Sequence, residues 1–351
     1  MIKIIKAYDE CRDFVSDFPE ESMQKDEITE RLTKHIENPD KNRVIGGLAA
    51  AGDEISASAA IEASAAPKTM SASEKLGALE VTLYGTEQAG ALVSRMDSLE
   101  DDVYGTITTD PILNRVNNLY DYINGYAGSG EASFLTKLNA VEWQFTESTA
   151  GGPAKSRIEA LETMLNGEVG AGSLAGRLEA LANLAFQDGI VVVETVTLPK
   201  DSVIKLEFAE DLSSKTAKAG DVVKYKVADN VFVNDVLVLP KGAEGVGKVT
   251  KVVGPRMFGQ DARIDVDFGF IYAIDNTRVK VFLGDVAKQA AETVAGAAGA
   301  AIGGMVVLGP VGIIGGAFVT GKSVNIPAGS TTFVQVKADT DIQGMVYQGS
   351  N

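Results

Sequence analysis

The chain has 351 residues, a formal net charge of −16, one Cys (Cys11) and one His (His35). So acidic a chain, without a Lys/Arg cluster to displace counterions from phosphates, is not expected to bind nucleic acid. Past residue 40 the side chains for a Cys/His metal site, a Cys nucleophile or a Ser-His-Asp triad are missing, so no metal, cofactor or enzyme activity is expected.

Residues 1–40 read as a charged helical segment and 41–72 as either an Ala/Ser-rich linker or a signal-like segment. For the second reading, Lys41 and Arg43 supply a basic start, Val44 to Ala51 an apolar run and Ala63-Ser64-Ala65 a small-x-small cleavage site. Asp53 and Glu54 interrupt that run, and the linker reading stays open beside export.

Residues 73–187 carry six copies of one pattern, Lys/Arg-apolar-x-x-apolar-x-x-x-apolar, starting at Lys75, Arg95, Arg115, Lys137, Arg157 and Arg177. The period is 20 residues with one two-residue slip, the mark of a repeat whose units bury their apolar faces on one another. The stripes are Leu76, Leu79, Leu83; Met96, Leu99, Val103; Val116, Leu119, Ile123; Leu138, Val141, Phe145; Ile158, Leu161, Leu165; and Leu178, Leu181. Spacings of three and four place each stripe on one face of a helix of roughly 12–14 residues, too short to be stable alone. Gly85, Gly105, Gly125 and Gly167 are expected to end helices in the left-handed region. The Lys/Arg and Glu residues beside the stripe read as a solvated polar face. The fourth unit, with Trp143, Phe145 and no terminal Gly, reads as a break in the array.

Residues 188–351 change to strand patterning. Runs at 190–198, 203–209, 221–228, 231–239, 245–253, 262–274 and 278–283 are rich in Val, Ile, Phe and Tyr, and 323–326 and 331–337 follow. Ile264, Val266 and Phe268 alternate with Arg263, Asp265 and Asp267, as in an antiparallel strand with one wet face. Asp275-Asn276 and Pro240-Lys241-Gly242 read as tight turns, and the sum is a small antiparallel barrel or sandwich. The fold class is therefore α+β.

A glycine-zipper hairpin is expected at 285–322. Its apolar part, Val294 to Thr320, has 27 residues and no charge. Gly299/Gly303 and Gly312/Gly316 are GxxxG pairs, Gly296 and Gly304 continue a small-residue row, and Gly309-Pro310 divides the segment into two half-length helices. Each half reaches only about half of a ~30 Å hydrocarbon core, so packing on protein and insertion into lipid both remain open.

The runs around 231–239, the turn Pro240-Lys241-Gly242-Ala243, the run 247–253 and an apolar hairpin before the last strands resemble bacterial envelope proteins with a glycine-zipper insert. More distantly, the plan from Val191 to Asp341 is similar to the outer-membrane barrel subunit of type IV secretion systems. That resemblance implies a barrel carrying a helical hairpin at a bacterial outer membrane. The repeats resemble those of bacterial cell-surface proteins, which implies placement in the envelope, periplasm or cell surface.

Two strings mimic phosphate loops. Gly316 to Ser323 matches GxxxxGK[ST], but Val324-Asn325-Ile326-Pro327 cannot continue as a helix, and Gly242 to Lys248 runs into a strand, so no nucleotide is expected. The acidic pairs Glu210/Asp211, Asp265/Asp267 and Asp339/Asp341 read as solvated. The expectation is a non-enzymatic envelope structural or assembly protein, homo-oligomeric through its repeats and membrane-associated through 294–320. The alternative is an adhesin-like module for a glycan or protein, with Tyr120, Tyr122, Tyr126 and Trp143 as its aromatic residues. A third, an NTPase or carboxylate hydrolase relying on Lys322 or Asp265, is not expected.

Overall fold

The computed structural model describes residues 70–126, 129–254, 262–290, 312–314, 317–320 and 323–347. The chain divides after Lys68, and all the described residues belong to the second unit, Thr69–Asn351. The charged segment and nearly all of the signal-like segment lie outside them, as do Gly296, Gly299, Gly303, Gly304, Gly309, Pro310 and Gly316.

Each repeat is one short helix: α1 (Ala72–Tyr84), α2 (Leu92–Tyr104), α3 (Ile112–Asn124), α4 (Phe134–Thr146), α5 (Ala154–Asn166) and α6 (Leu174–Ala185). Gly85, Gly105 and Gly167 close α1, α2 and α5 in the left-handed region, whereas Gly125 (φ 82°, ψ 169°) turns the chain out in an extended direction. Glu147, at φ 53°, takes the cap position of the fourth unit. The stripes from Leu76 to Leu181 form one core, in which Phe145 is only partly buried. Leu165 departs from the expected packing: it is 36% exposed and lies outside the array core.

The repeat is a triplet copied once. Ser71, Lys75, Arg95 and Arg115 recur 62 residues later as Ser133, Lys137, Arg157 and Arg177, and both Ser71 and Ser133 cap helix N-termini. The expected solvated face of Lys/Arg and Glu is corrected here. Glu80, Glu100, Glu142 and Glu162 are 0–4% exposed. Each accepts a backbone N–H eight residues on and two guanidinium N–H groups from the Arg fifteen residues on, as Glu162 does from Gly170 (3.0 Å) and Arg177 (2.9 and 2.7 Å). The third unit has Tyr120 in place of Glu, and the basic residue after it is Lys137, which pairs instead with Glu179. Arg stands where there is a carboxylate to fork, because only its planar guanidinium makes the bidentate pair.

The C-terminal strands are β1 (Val193–Leu198), β2 (Val203–Phe208), β3 (Leu212–Ser213), β4 (Val222–Val227), β5 (Val231–Val233), β6 (Val236–Leu239) and β7 (Glu244–Val253). They continue as β8 (Ala262–Tyr272), β9 (Arg278–Phe282), β10 (Gly312–Ile314), β11 (Ala317–Thr320), β12 (Asn325–Ile326), β13 (Thr331–Val336) and β14 (Thr340–Val346). Strands β8, β7, β4, β2, β13 and β9 pair in that order, and β9 returns to β8, closing a six-stranded antiparallel barrel. Beside it lies a second sheet, β1-β14-β6-β5. The alternation read in β8 holds, with Ile264, Val266 and Phe268 buried in the barrel. Residues 231–239 are two strands rather than one, split by Asn234 and Asp235, both at positive φ. The turn at Pro240–Gly242 is a corner between the two sheets, since β6 pairs with β5 and β14 and β7 pairs with β4 and β8.

The break expected at the fourth unit is corrected: the array continues through it, with Glu142 forked to Arg157 and one core throughout, and what sets this unit apart is that it meets the barrel. Helix α4 is buried on both sides: Leu138 and Val141 enter the array core, Ala140 and Trp143 the barrel core. The Trp143 indole N–H donates to Asn230 (3.0 Å), the Asn139 amide to the Ile274 carbonyl (2.7 Å), and the Thr149 N–H to the Lys241 carbonyl (2.7 Å). Gly242 (φ +86°) lies so close to the Thr149 carbonyl that no side chain fits between them.

Candidate functional site at the root of the apolar insert

One edge of β8 serves two strands. Its C-terminal end, Phe270–Tyr272, pairs with β9, and its N-terminal end, Ala262–Asp265, pairs with β11. The chain between them leaves β9 at Phe282, passes a helical stretch at 285–290 and returns through β10 and β11. Both ends of the apolar insert are therefore tied to one barrel strand.

The outgoing end is held by Gln335 of β13, which is 3% exposed. Its Oε1 accepts the N–H groups of Val286 (3.1 Å) and Ala287 (3.3 Å), and its Nε2 donates to Asp201 (3.4 Å). Amides at a helix start have no partner within the helix, so an acceptor from a neighbouring strand fixes where the helix begins. Gly284 packs directly on the Gln335 carboxamide. Asp285 pairs with Lys288 at 2.7 Å, and that hydrogen bond and charge hold its carboxyl below the usual value.

The returning end corrects the helical hairpin expected across 285–322. Gly312–Ile314 and Ala317–Thr320 are paired strands, with Gly312 opposite Val319. The physical reason is twofold: where β9 stops, β11 takes up the free edge of β8, and Ile313, Ile314, Phe318, Val319 and Thr320 suit a strand while the glycines disfavour a helix interior. The string Gly316 to Ser323 thus contributes a strand, and the next described element is β12, paired with β3.

The aromatic residues proposed for a ligand face are separated. Trp143 packs against Phe232 and Tyr347 at the barrel junction. Tyr120 lies under the Lys75 ammonium, Tyr122 packs between Tyr104 and Phe134, and Tyr126 is exposed. Burial raises the Tyr104 hydroxyl to about 12. Asp265 is bonded to Arg263, Asp267 accepts the Gly269 N–H, Asp339 the Lys200 N–H, and Asp341 the Thr197 hydroxyl; Glu210 pairs with Lys224. Lys322 lies outside the described residues. Among the described residues no three His, Cys, Asp or Glu side chains converge as metal ligands, and no helix is long and apolar enough to cross a membrane.

Sequence reading missed the buried Glu-Arg forks and Gln335. The forks were legible in the recurring fifteen-residue Glu-to-Arg spacing, and in the Lys that replaces Arg where the Glu is absent. Gln335 carries no sequence signal, because its partners lie 48 and 49 residues away.

No protein-family model matches the chain, and no curated protein does. Among solved structures, ComB10 of the Com type IV secretion system of Helicobacter pylori is similar at 15% identity and a TM-score of 0.23. The match covers 41% of this chain and 88% of that one.

Proposed function

We propose that the chain is a non-enzymatic structural and assembly protein of the bacterial cell envelope, in which the barrel presents the apolar insert to a membrane or to neighbouring copies. The observation that carries this reading is the attachment of both ends of the insert to β8, outgoing through β9 and returning through β11. An uncharged run of this length exposed to water would be a strong aggregation liability, so its retention in an acidic protein argues for a hydrophobic destination. The array, docked on the barrel through α4, acts as a spacer of set orientation and as the surface for self-association.

The test is fractionation of cells making the full chain or a variant with residues 294–311 replaced by a Gly/Ser linker, which leaves β10 and β11 in place. The reading expects the full chain to resist alkaline carbonate extraction of the envelope pellet and the variant to be released, with an intact mass showing loss of the residues before about position 65. Equal extraction of both proteins, uncleaved, overturns it.

A further inference from the structure

The outer wall of the barrel beside the insert carries a patch that the chain's overall charge does not foretell. Across β8 and β9, Tyr272 lies opposite Arg278 and Phe270 opposite Lys280. On the other side of β9, Phe282 lies opposite Gln335, and the Lys337 N–H bonds to the Lys280 carbonyl, which sets these two lysines side by side. Alternation sends Val279 and Val281 into the barrel, so Arg278, Lys280 and Phe282 share the outer face.

Arg278, Lys280 and Lys337 are exposed, and among the described residues none has a carboxylate partner. The Arg278 guanidinium stacks 4.9 Å from the Phe270 ring centre and 5.9 Å from that of Tyr272. The two rings meet edge to face at 5.0 Å. Phe282 is 37% exposed. Of the nearby carboxylates Asp285 pairs with Lys288, while Asp275, Asp201 and Asp339 are held by hydrogen bonds from Thr277 and Gln343, from Gln335 and from the Lys200 N–H, and none forms an ion pair with the three cations. Strand β9 runs from the array junction towards the helical stretch at 285–290, which begins three residues after Phe282 and leads to the insert.

Cations on aliphatic stems interleaved with half-buried aromatic rings are the composition of a water–lipid boundary, where rings settle at headgroup level and ammonium groups meet phosphates. We infer that this wall of the barrel docks on an anionic phospholipid surface through Arg278, Lys280 and Lys337, with Phe270, Tyr272 and Phe282 entering the headgroup layer. Charge complementarity is local: a chain of net charge −16 would otherwise be repelled by such a surface. The wall also adjoins β9 and β11, through which the chain leaves for the insert and returns from it, so docking there brings both ends of the insert towards the bilayer. This inference rests on the envelope reading for its biological setting, but the patch is testable without the insert.

The experiment is flotation of the purified full chain with vesicles of about 30% phosphatidylglycerol in phosphatidylcholine, against phosphatidylcholine alone, at low and high salt. The proteins are wild type, R278Q/K280Q/K337Q, and the variant with 294–311 replaced by a linker. At about 1 kcal/mol for each cation near an anionic surface, the triple variant is expected to partition on the order of 100-fold more weakly. The linker variant should keep salt-sensitive binding to the anionic vesicles. Wild-type binding by the triple variant overturns the inference, as does binding that ignores phosphatidylglycerol. If only the linker variant loses binding, the insert is the anchor and the patch is not. Salt-sensitive self-association lost in the triple variant, without vesicle binding, identifies a second copy of this acidic chain as the occupant and also overturns it. All three cations are exposed, so unchanged circular dichroism and Trp143 fluorescence will show that each variant is folded; K280E alone, expected to weaken binding in the same direction, serves if the triple variant is not.

Discussion

Glu162 and Arg177 meet through two parallel hydrogen bonds while each side chain is less than a tenth exposed. The same fork joins Glu80 to Arg95, Glu100 to Arg115 and Glu142 to Arg157, so successive helices are fastened by one device used four times. In each, the carboxylate also holds a connector N–H, which sets the path of the loop together with the position of the next helix.

Removing one partner leaves a buried charge unpaired. Arg177→Met is therefore expected to destabilise the protein by about 3–5 kcal/mol, whereas Glu162→Leu combined with Arg177→Met costs much less. Urea denaturation of the three proteins checks this. A double variant as unstable as the single one would mean that the fork contributes more than its own desolvation cost.

The forks make stability depend on acid. Burial pushes the carboxyls of Glu80 and Glu100 up, but the Arg hydrogen bonds, the connector amides and the Arg charges together outweigh it and hold both below 4.5. For Glu162 the Arg177 hydrogen bond is itself the largest influence, and its carboxyl is likewise lowered. A lowered native value means that the stabilisation is complete above the unfolded carboxyl value of about 4.3 and is lost as pH falls through the native values. Urea midpoints measured from neutral pH downwards should be level and then drop below about pH 4. In E80Q/E100Q/E162Q that drop should be shallower; an unchanged slope would assign acid sensitivity to other groups.

Trp143, the only tryptophan, reports the junction between array and barrel. In Gly242→Ala the new methyl meets the Thr149 carbonyl at a backbone position of positive φ. The expected result is red-shifted Trp143 emission and faster proteolysis in the 147–153 connector, with far-ultraviolet circular dichroism nearly unchanged. Unaltered emission would show that the corner can shift without opening the junction.

Two leucines one helical turn apart in α5 should respond differently. Leu161 is 4% exposed and Leu165 36%. Leu161→Ala is expected to cost about 2–5 kcal/mol, the range for emptying a core site, and Leu165→Ala about 0.5 kcal/mol or less. Comparable losses would mean that the end of α5 is covered in solution, as self-association of the array would do.

The amino-acid sequence by itself determined the elements made of near neighbours. The 20-residue period, the three-and-four spacing of Leu76, Leu79 and Leu83, and the alternation of Ile264, Val266 and Phe268 follow from side-chain periodicity along a few turns or one strand, and they read out correctly. Only the tertiary structure decided what depends on partners far apart in the chain. Whether Glu80 is solvated or buried is settled by the helix that brings Arg95 against it, and Trp143 becomes a junction residue because Asn230 waits 87 residues away. In the run read as helical for its glycine spacing, Ala317–Thr320 pairs along the edge of β8 that β9 leaves open, and Gly312–Ile314 pairs with it in turn. A backbone hydrogen-bonding edge is created by the assembled barrel, not by any local run of residues, and it is that edge which gives the strand-forming Phe318, Val319 and Thr320 a ladder to join.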